Sequence, residues 1–237
     1  MHIPKTAGTT FRGFLERSIR ENGGNPAPFS GTYPSYANFL ATAGRLGEKF
    51  DLISGHYPFH VRTLLPAGSP IISLIRNPIE RCLSHIKHQI RQEEQSGVGC
   101  GVTEVNAFIE LPVNRFFLAS LRDLSVKYLS YEGSPSDPVA ETDLSLERAL
   151  RNCEESWIGL DSSLDIFQQR VFERLLHCRG TCPPLPVDNR SINLTATNEL
   201  SPKNHRRLRE LNDLDLRLYE KLQELEVRGD SGSRPGN

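Results

Sequence analysis

The sequence predicts an α/β domain in which a parallel sheet is flanked by helices. Three observations carry this. Short apolar runs bounded by Gly or Pro recur at 50–54, 71–75 and 157–160, too short for helices and continuous enough for strands buried on both faces. Segments whose apolar residues repeat with helical spacing lie between them. Helix-start signals stand where that alternation needs them, with Asn77-Pro78 directly after the second run and Ser201-Pro202 ahead of the last periodic segment.

Each element follows in chain order. Pro4 to Thr9 is a polar, glycine-containing loop that runs into a helix over 10–21, carried by Phe11, Phe14, Leu15 and Ile19 and stopped by Asn22, Gly23 and Gly24. A Pro/Gly/Ser/Tyr-rich loop extends to about Tyr36. After the strands at 50–54 and 71–75, a helix starts at Pro78 and continues through Arg81, Leu83, Ile86 and Ile90. The segment 104–121 reads as helix interrupted by Pro112, 130–143 as loop, and 144–154 as helix. The third strand, 157–160, precedes a helix over 164–176. From Ser201 one amphipathic helix is expected to carry Leu208, Leu211, Leu214, Leu218 and Leu222. The whole reads as a single domain over 1–227, with a disordered tail over 228–237.

With 237 residues, 37% of them hydrophobic, 24% charged and a formal net charge of −1, the composition is that of an ordinary globular domain. A nucleic-acid partner would call for a strongly basic balance, so none is expected, and any basic site must be local. No stretch approaches the ~20 apolar residues needed to cross a bilayer, and no charged-then-apolar leader follows Met1, so the expectation is a chain without a membrane anchor. The five cysteines contain no paired C-x-x-C motifs, which argues against a zinc site and against a dense disulfide framework. Cys178 and Cys182 are spaced to close a small loop in an oxidising compartment, but are read as free thiols.

Two segments carry chemistry. His2-Ile3-Pro4-Lys5-Thr6-Ala7-Gly8-Thr9-Thr10 sits where a strand ends and a helix begins, so unpaired backbone N–H groups, a mobile cation and two hydroxyls converge there. That is an anion site of phosphate type, with an unadorned strand-to-helix turn as the plain alternative. It is not a Walker A loop, because Lys5 precedes the glycine. In Leu74-Ile75-Arg76-Asn77-Pro78-Ile79-Glu80-Arg81-Cys82-Leu83-Ser84, Arg76 falls at the carboxyl end of a strand, where open α/β sheets bind ligands. Ser84 shares a helix face with Arg81. An arginine fork beside a serine suits a second phosphate; a salt-bridged Arg76 and a solvated Ser84 is the competing reading.

Taken together and in this order, the P-K-T-x-G-T-T loop and R-N-P-x-x-R-x-x-S resemble the 5'-phosphosulfate and 3'-phosphate loops of sulfotransferases that use 3'-phosphoadenylyl sulfate (PAPS). The closest likeness is to the family of heparan sulfate 2-O-sulfotransferase and related carbohydrate sulfotransferases. Ile53-Ser54-Gly55-His56, Trp157-Ile158-Gly159-Leu160 and the stretch Asn212 to Tyr219 look like further landmarks of that family. The resemblance implies a P-loop-NTPase-like parallel sheet flanked by helices. It also implies a first strand truncated at the N-terminus, since most of the strand that usually precedes the lysine loop is missing; a fragment or a misassigned start is expected. The segment from Cys100 to Asp143 matches no acceptor-site pattern.

The same resemblance implies sulfuryl transfer from PAPS to a hydroxyl, of a carbohydrate, by in-line displacement and without a metal. Lys5 would neutralise charge at the bridging oxygen, with the amides of Thr6, Ala7, Gly8, Thr9 and Thr10 and the hydroxyls of Thr9 and Thr10 on the 5' end. Arg76 and Ser84 would take the 3'-phosphate, and Thr195 would reach the nucleotide from the polar loop 188–201. His56 is the candidate general base, with His60 as its competitor. His2 is assigned to packing or capping, and His85 and His88 are left as solvated residues for want of a third metal ligand. The run Lys203, His205, Arg206, Arg207, Arg209 fits either an anionic ligand or a solvated face paired with Glu210 and Asp213. The sequons at Asn189 and Asn193 are read as chance matches. A nucleotide kinase or NTPase, and a non-catalytic nucleotide-binding module, are the alternative functions. The expected location is the cytoplasm, or the lumenal side of the Golgi membrane if an anchor precedes Met1.

Overall fold

The computed structural model describes residues 1, 3–26, 49–133, 144–178, 181–185 and 200–227. Within them the chain is mixed α/β and mostly helical, around a parallel pair of strands. Strand β1 (Ile72–Ile75) pairs with β2 (Trp157–Leu160), Ile72 opposite Trp157 and Ile75 opposite Leu160. Successive carbonyls of β1 point to opposite edges: Ile71 O accepts from Trp157 N at 2.8 Å, while Ile72 O accepts from the amino group of Met1 at 3.0 Å. The first residues therefore lie along the edge of β1 that β2 leaves open. Among the described residues, the expected strand at 50–54 is represented by a bridge between Leu52 and Pro26. Pro26 has no N–H to give to a ladder at that point.

Alternation along β1 divides the core. Ile71 and Ile75 face a cluster with Ile3, Leu160, Val126, Leu129, Ala149 and Leu218, contributed by α5 (Leu124–Ser130), α6 (Leu146–Glu154) and α9 (Asp213–Val227). Ile72 and Leu74 face the other way, onto Phe11 and Phe14 of α1 (Gly8–Glu21) and Phe167 of α7 (Leu164–Arg170). The strands are thus covered on both faces, as their unbroken apolar character requires. Phe11, Phe14 and Phe167 are buried, each contributing roughly 1.5–3 kcal/mol on the usual scale for such side chains. Gly159 makes room for this packing, since a Cβ there would come within 2.3 Å of the Phe167 ring. After Arg170 the expected long helix ends in a π-turn, Val171–Leu175.

A second helical core lies beside the sheet. It joins α2 (Pro78–Ser96), α3 (Val105–Glu110), α4 (Arg115–Ser120) and α8 (Pro202–Leu211) through Ile79, Leu83, Ile86, Phe108, Leu118 and Leu208. Helix α2 starts as its sequence demands: the Asn77 side chain accepts from Ile79 N at 3.0 Å and Glu80 N at 3.3 Å, with Pro78 in the first turn. The final amphipathic segment is two helices, because Asn212 breaks it. The Asn212 amide donates to Leu208 O at 3.0 Å, and its oxygen accepts from Arg81 at 2.8 Å.

Arg81 is fully buried, and the network around it ties the two cores together. Its Nη2 also donates to Leu121 O at 3.0 Å and lies 3.4 Å from Asp215. The Asp215 carboxylate caps α5 from some ninety residues away, accepting from Ser125 N at 2.9 Å and Val126 N at 2.7 Å. Asp123, in the left-handed region at φ 40°, returns the contact by accepting from Asp215 N at 3.0 Å. All five cysteines are free thiols. Among the described residues no helix is long and apolar enough to cross a membrane.

Candidate functional site

Residues 3–7 form a tight turn between the edge of the sheet and α1. Thr6 is buried, and its hydroxyl donates to Ile3 O at 2.8 Å, so the side chain closes the turn and leaves only the backbone of Thr6 for a ligand. Lys5 and Ala7 adopt positive φ, 65° and 61°. The strain thus falls on two non-glycine residues and not on Gly8, which begins the helix. Strain of this kind collects where a backbone must present groups in a set direction. Here the groups are the first N–H donors of a 14-residue helix, among them those of Gly8 and Thr9. Thr9 is exposed, and Gly8 and Thr10 are half-buried.

Lys5 is half-buried beside α2, and burial, with Arg91 close by, pushes its pKa below the ordinary lysine value. His85, His88 and Arg91 stand further along α2. Burial pushes the His85 imidazole down to about 3, reinforced by Arg81, Lys5, His88 and His56. His88 is lowered too, by burial and then by Lys5 and Arg91. His56 follows the Leu52 bridge and adds to the charge acting on His85. His60 faces elsewhere: burial lowers its pKa, opposed by contact with Tyr131 and Glu132.

His85 is not a solvated residue. It is partly buried, its Nδ1 is buried with no hydrogen-bond partner among the described residues, and it meets the Phe117 ring edge-on at 5.9 Å. Helical spacing held the signal: Arg81, His85, His88 and Arg91 repeat at i, i+4, i+7 and i+10, a stripe of nitrogen side chains with no acid among them. Ser84 stands on the same side, four residues before His88.

Arg76 follows β1 directly, as expected, but carboxylates already engage it. It lies 3.0 Å from Glu80 and 3.5 Å from Asp161, the residue that follows β2. Asp161 in turn accepts from the Tyr219 hydroxyl at 3.0 Å. Burial raises the Asp161 pKa, opposed by Tyr219 and Arg76, and burial pushes Tyr219 up to about 12. Thr195, His2, both sequons and the tail lie outside the described residues.

The basic run at the start of α8 is divided between roles. Lys203 pairs with Glu110 at 3.6 Å, and Arg207 donates to Ile109 O at 2.7 Å. Asp213 pairs with Arg217 at 3.8 Å and not with the run. His205, Arg206 and Arg209 border an open cavity of about 790 Å³ that Glu210 and Asp213 also line. None of the Lys5-turn residues belongs to it. Compared with family models, with curated proteins and with solved structures, the chain matches none.

Proposed function

We propose that the chain is a sulfotransferase that moves a sulfuryl group from PAPS to a hydroxyl, of a carbohydrate, on a P-loop-like α/β frame. The observation that supports this reading is the strained Lys5–Ala7 turn, which sets a half-buried lysine directly before the N-terminus of α1. The donor set suits the 5'-phosphosulfate: Lys5, the amides of Thr6 to Thr10, the hydroxyls of Thr9 and Thr10, with His88 and Arg91 adding positive character. A bound anion also offsets the desolvation that depresses Lys5. The fit at the 3'-phosphate is narrower. Arg76 must exchange Glu80 for the phosphate, while Asp161 continues to orient the guanidinium. Ser84 and Thr195 complete that end by resemblance alone.

In this reading His56 takes the proton of the acceptor hydroxyl, and Lys5 neutralises the charge that develops on the departing phosphate oxygen. The rate falls on acidification, because a protonated imidazole cannot take a second proton. Calorimetry with 3'-phosphoadenosine 5'-phosphate and, separately, with ATP and Mg²⁺ tests the assignment. The bisphosphate is expected to bind without metal, and Arg76→Ala to lose on the order of 1.5–3 kcal/mol of its affinity, the scale of a charged hydrogen bond. Binding of ATP–Mg²⁺ with none of the bisphosphate would overturn the reading in favour of a nucleotide kinase or NTPase. Tight bisphosphate binding without transfer to any hydroxyl would leave a nucleotide-binding module.

A further inference from the structure

Two carboxylates share the Arg76 guanidinium, and they are held on unequal terms. Glu80 takes one edge of it: a single oxygen, Oε2, accepts from Nε at 3.3 Å and from Nη2 at 3.0 Å. Asp161 stands 3.5 Å from Nε, as sheltered from solvent as Arg76 itself, and its carboxylate also accepts from the Tyr219 hydroxyl at 3.0 Å. The Glu80 side chain is 46% exposed, and among the described residues its carboxylate pairs with Arg76 alone.

Losing Arg76 therefore costs the two differently. Asp161 would be left a sheltered charge without its cation. Glu80 would turn to water and keep the favourable field of the α2 N-terminus, in whose first turn it stands. An exposed pair four residues apart is also weak to begin with. Glu80 is the exchangeable partner and Asp161 the fixed one. The edge that Glu80 occupies, Nε with Nη2, is one that pairs with a phosphate through two N–H···O bonds.

We propose that Glu80 is a built-in competitor for the 3'-phosphate, releasing Arg76 when the nucleotide binds and speeding departure of the bisphosphate product by returning to it. The proposal rests on the sulfotransferase reading and adds to that site a residue that sets product affinity. Only hydrogen bonds are exchanged. Such a competitor has a use in turnover: affinity that is equally strong before and after transfer slows release without assisting the chemistry.

Calorimetry of Glu80→Gln with 3'-phosphoadenosine 5'-phosphate and with 5'-AMP tests this. The amide keeps the size of the side chain and removes its charge. Bisphosphate binding is expected to tighten roughly 3–10-fold, the scale of one exposed ion pair together with one charge repulsion in water. Dissociation of the bisphosphate, followed by stopped flow, is expected to slow by a similar factor. 5'-AMP, which has no 3'-phosphate, is expected to bind both proteins alike, and in an Arg76→Ala background most of the gain from Glu80→Gln is expected to vanish. Equal tightening for 5'-AMP, or the full gain without Arg76, would show general charge repulsion and overturn the exchange. If wild type binds the bisphosphate and Glu80→Gln binds it no tighter, the role of Glu80 falls and the sulfotransferase reading stands. If neither protein binds it, that reading falls and takes this role with it.

Discussion

Asp123 and Asp215 show how one buried carboxylate alters the pH response of the whole chain. They sit at the starts of different helices, each accepting from backbone N–H at the other's helix start, with Arg81 near Asp215 as the local cation. Burial, and then the Asp215 charge, push the Asp123 carboxyl up to about 7, against backbone hydrogen bonds that favour its ionised form. A folded-state pKa above the ordinary value of 3.8 means that the native state holds the proton more tightly than the unfolded chain. The stabilisation linked to that proton is complete below about pH 4 and is lost as pH rises through 7. Asp123→Asn keeps an oxygen for Asp215 N, tolerates the left-handed backbone and carries no charge. The variant is expected to melt above wild type at pH 8 and level with it near pH 3.5. Calorimetric scans at both values check this; identical profiles would mean that Asp123 stays ionised in the fold.

Helices here start on local chemistry when the sequence supplies it and on distant residues when it does not. Helix α2 has its cap in the adjoining Asn77, and α6 has one in Ser145, whose hydroxyl accepts from Arg148 N at 3.1 Å. Helix α5 has no cap of its own and borrows the Asp215 carboxylate. The two kinds respond differently to mutation. Asn77→Ala removes a local cap and is expected to cost about 1 kcal/mol, within the usual range of roughly 0.5–2, with the urea slope unchanged. A loss well outside that range would show that Asn77 also holds Arg76 and Lys5 in register. Spectroscopy of bisphosphate binding in the same variant separates the two.

At the scale of the molecule, Arg81 is the joint between the sheet-centred core and the second helical core. It reaches Leu121 O, Asn212 and Asp215 from α2, and it meets no solvent. Arg81→Ala leaves the Asp215 carboxylate buried without its cation and frees Asn212 at the break between α8 and α9. Breaking a buried pair from one side typically costs roughly 3–5 kcal/mol, which is a large part of the stability of a domain of this size. Urea unfolding is expected to show a loss of that order and a shallower slope if the second core loosens first. A loss under about 1 kcal/mol would place Arg81 outside the joint.

Sequence by itself determined the elements whose causes are local. The cap at Asn77, the helix around Phe11, Phe14 and Leu15, and the strands 72–75 and 157–160 need only neighbouring residues or continuous apolar character, and all were legible. So was the turn at Lys5, which leads directly into α1. Tertiary structure decided what depends on partners far along the chain. Among the described residues the 50–54 run forms a bridge with Pro26, and the last helix broke because Asn212 found Arg81, 131 residues earlier. Helix α5 exists through a carboxylate that no local pattern announces, and Arg76 met Glu80 and Asp161 where a second phosphate was expected. His85 shows the same division most plainly. Its helical spacing is written in the sequence, but burial of Nδ1 and the contact with Phe117 arise only when α2 packs against its neighbours, because desolvation is a property of an assembled environment and not of a residue.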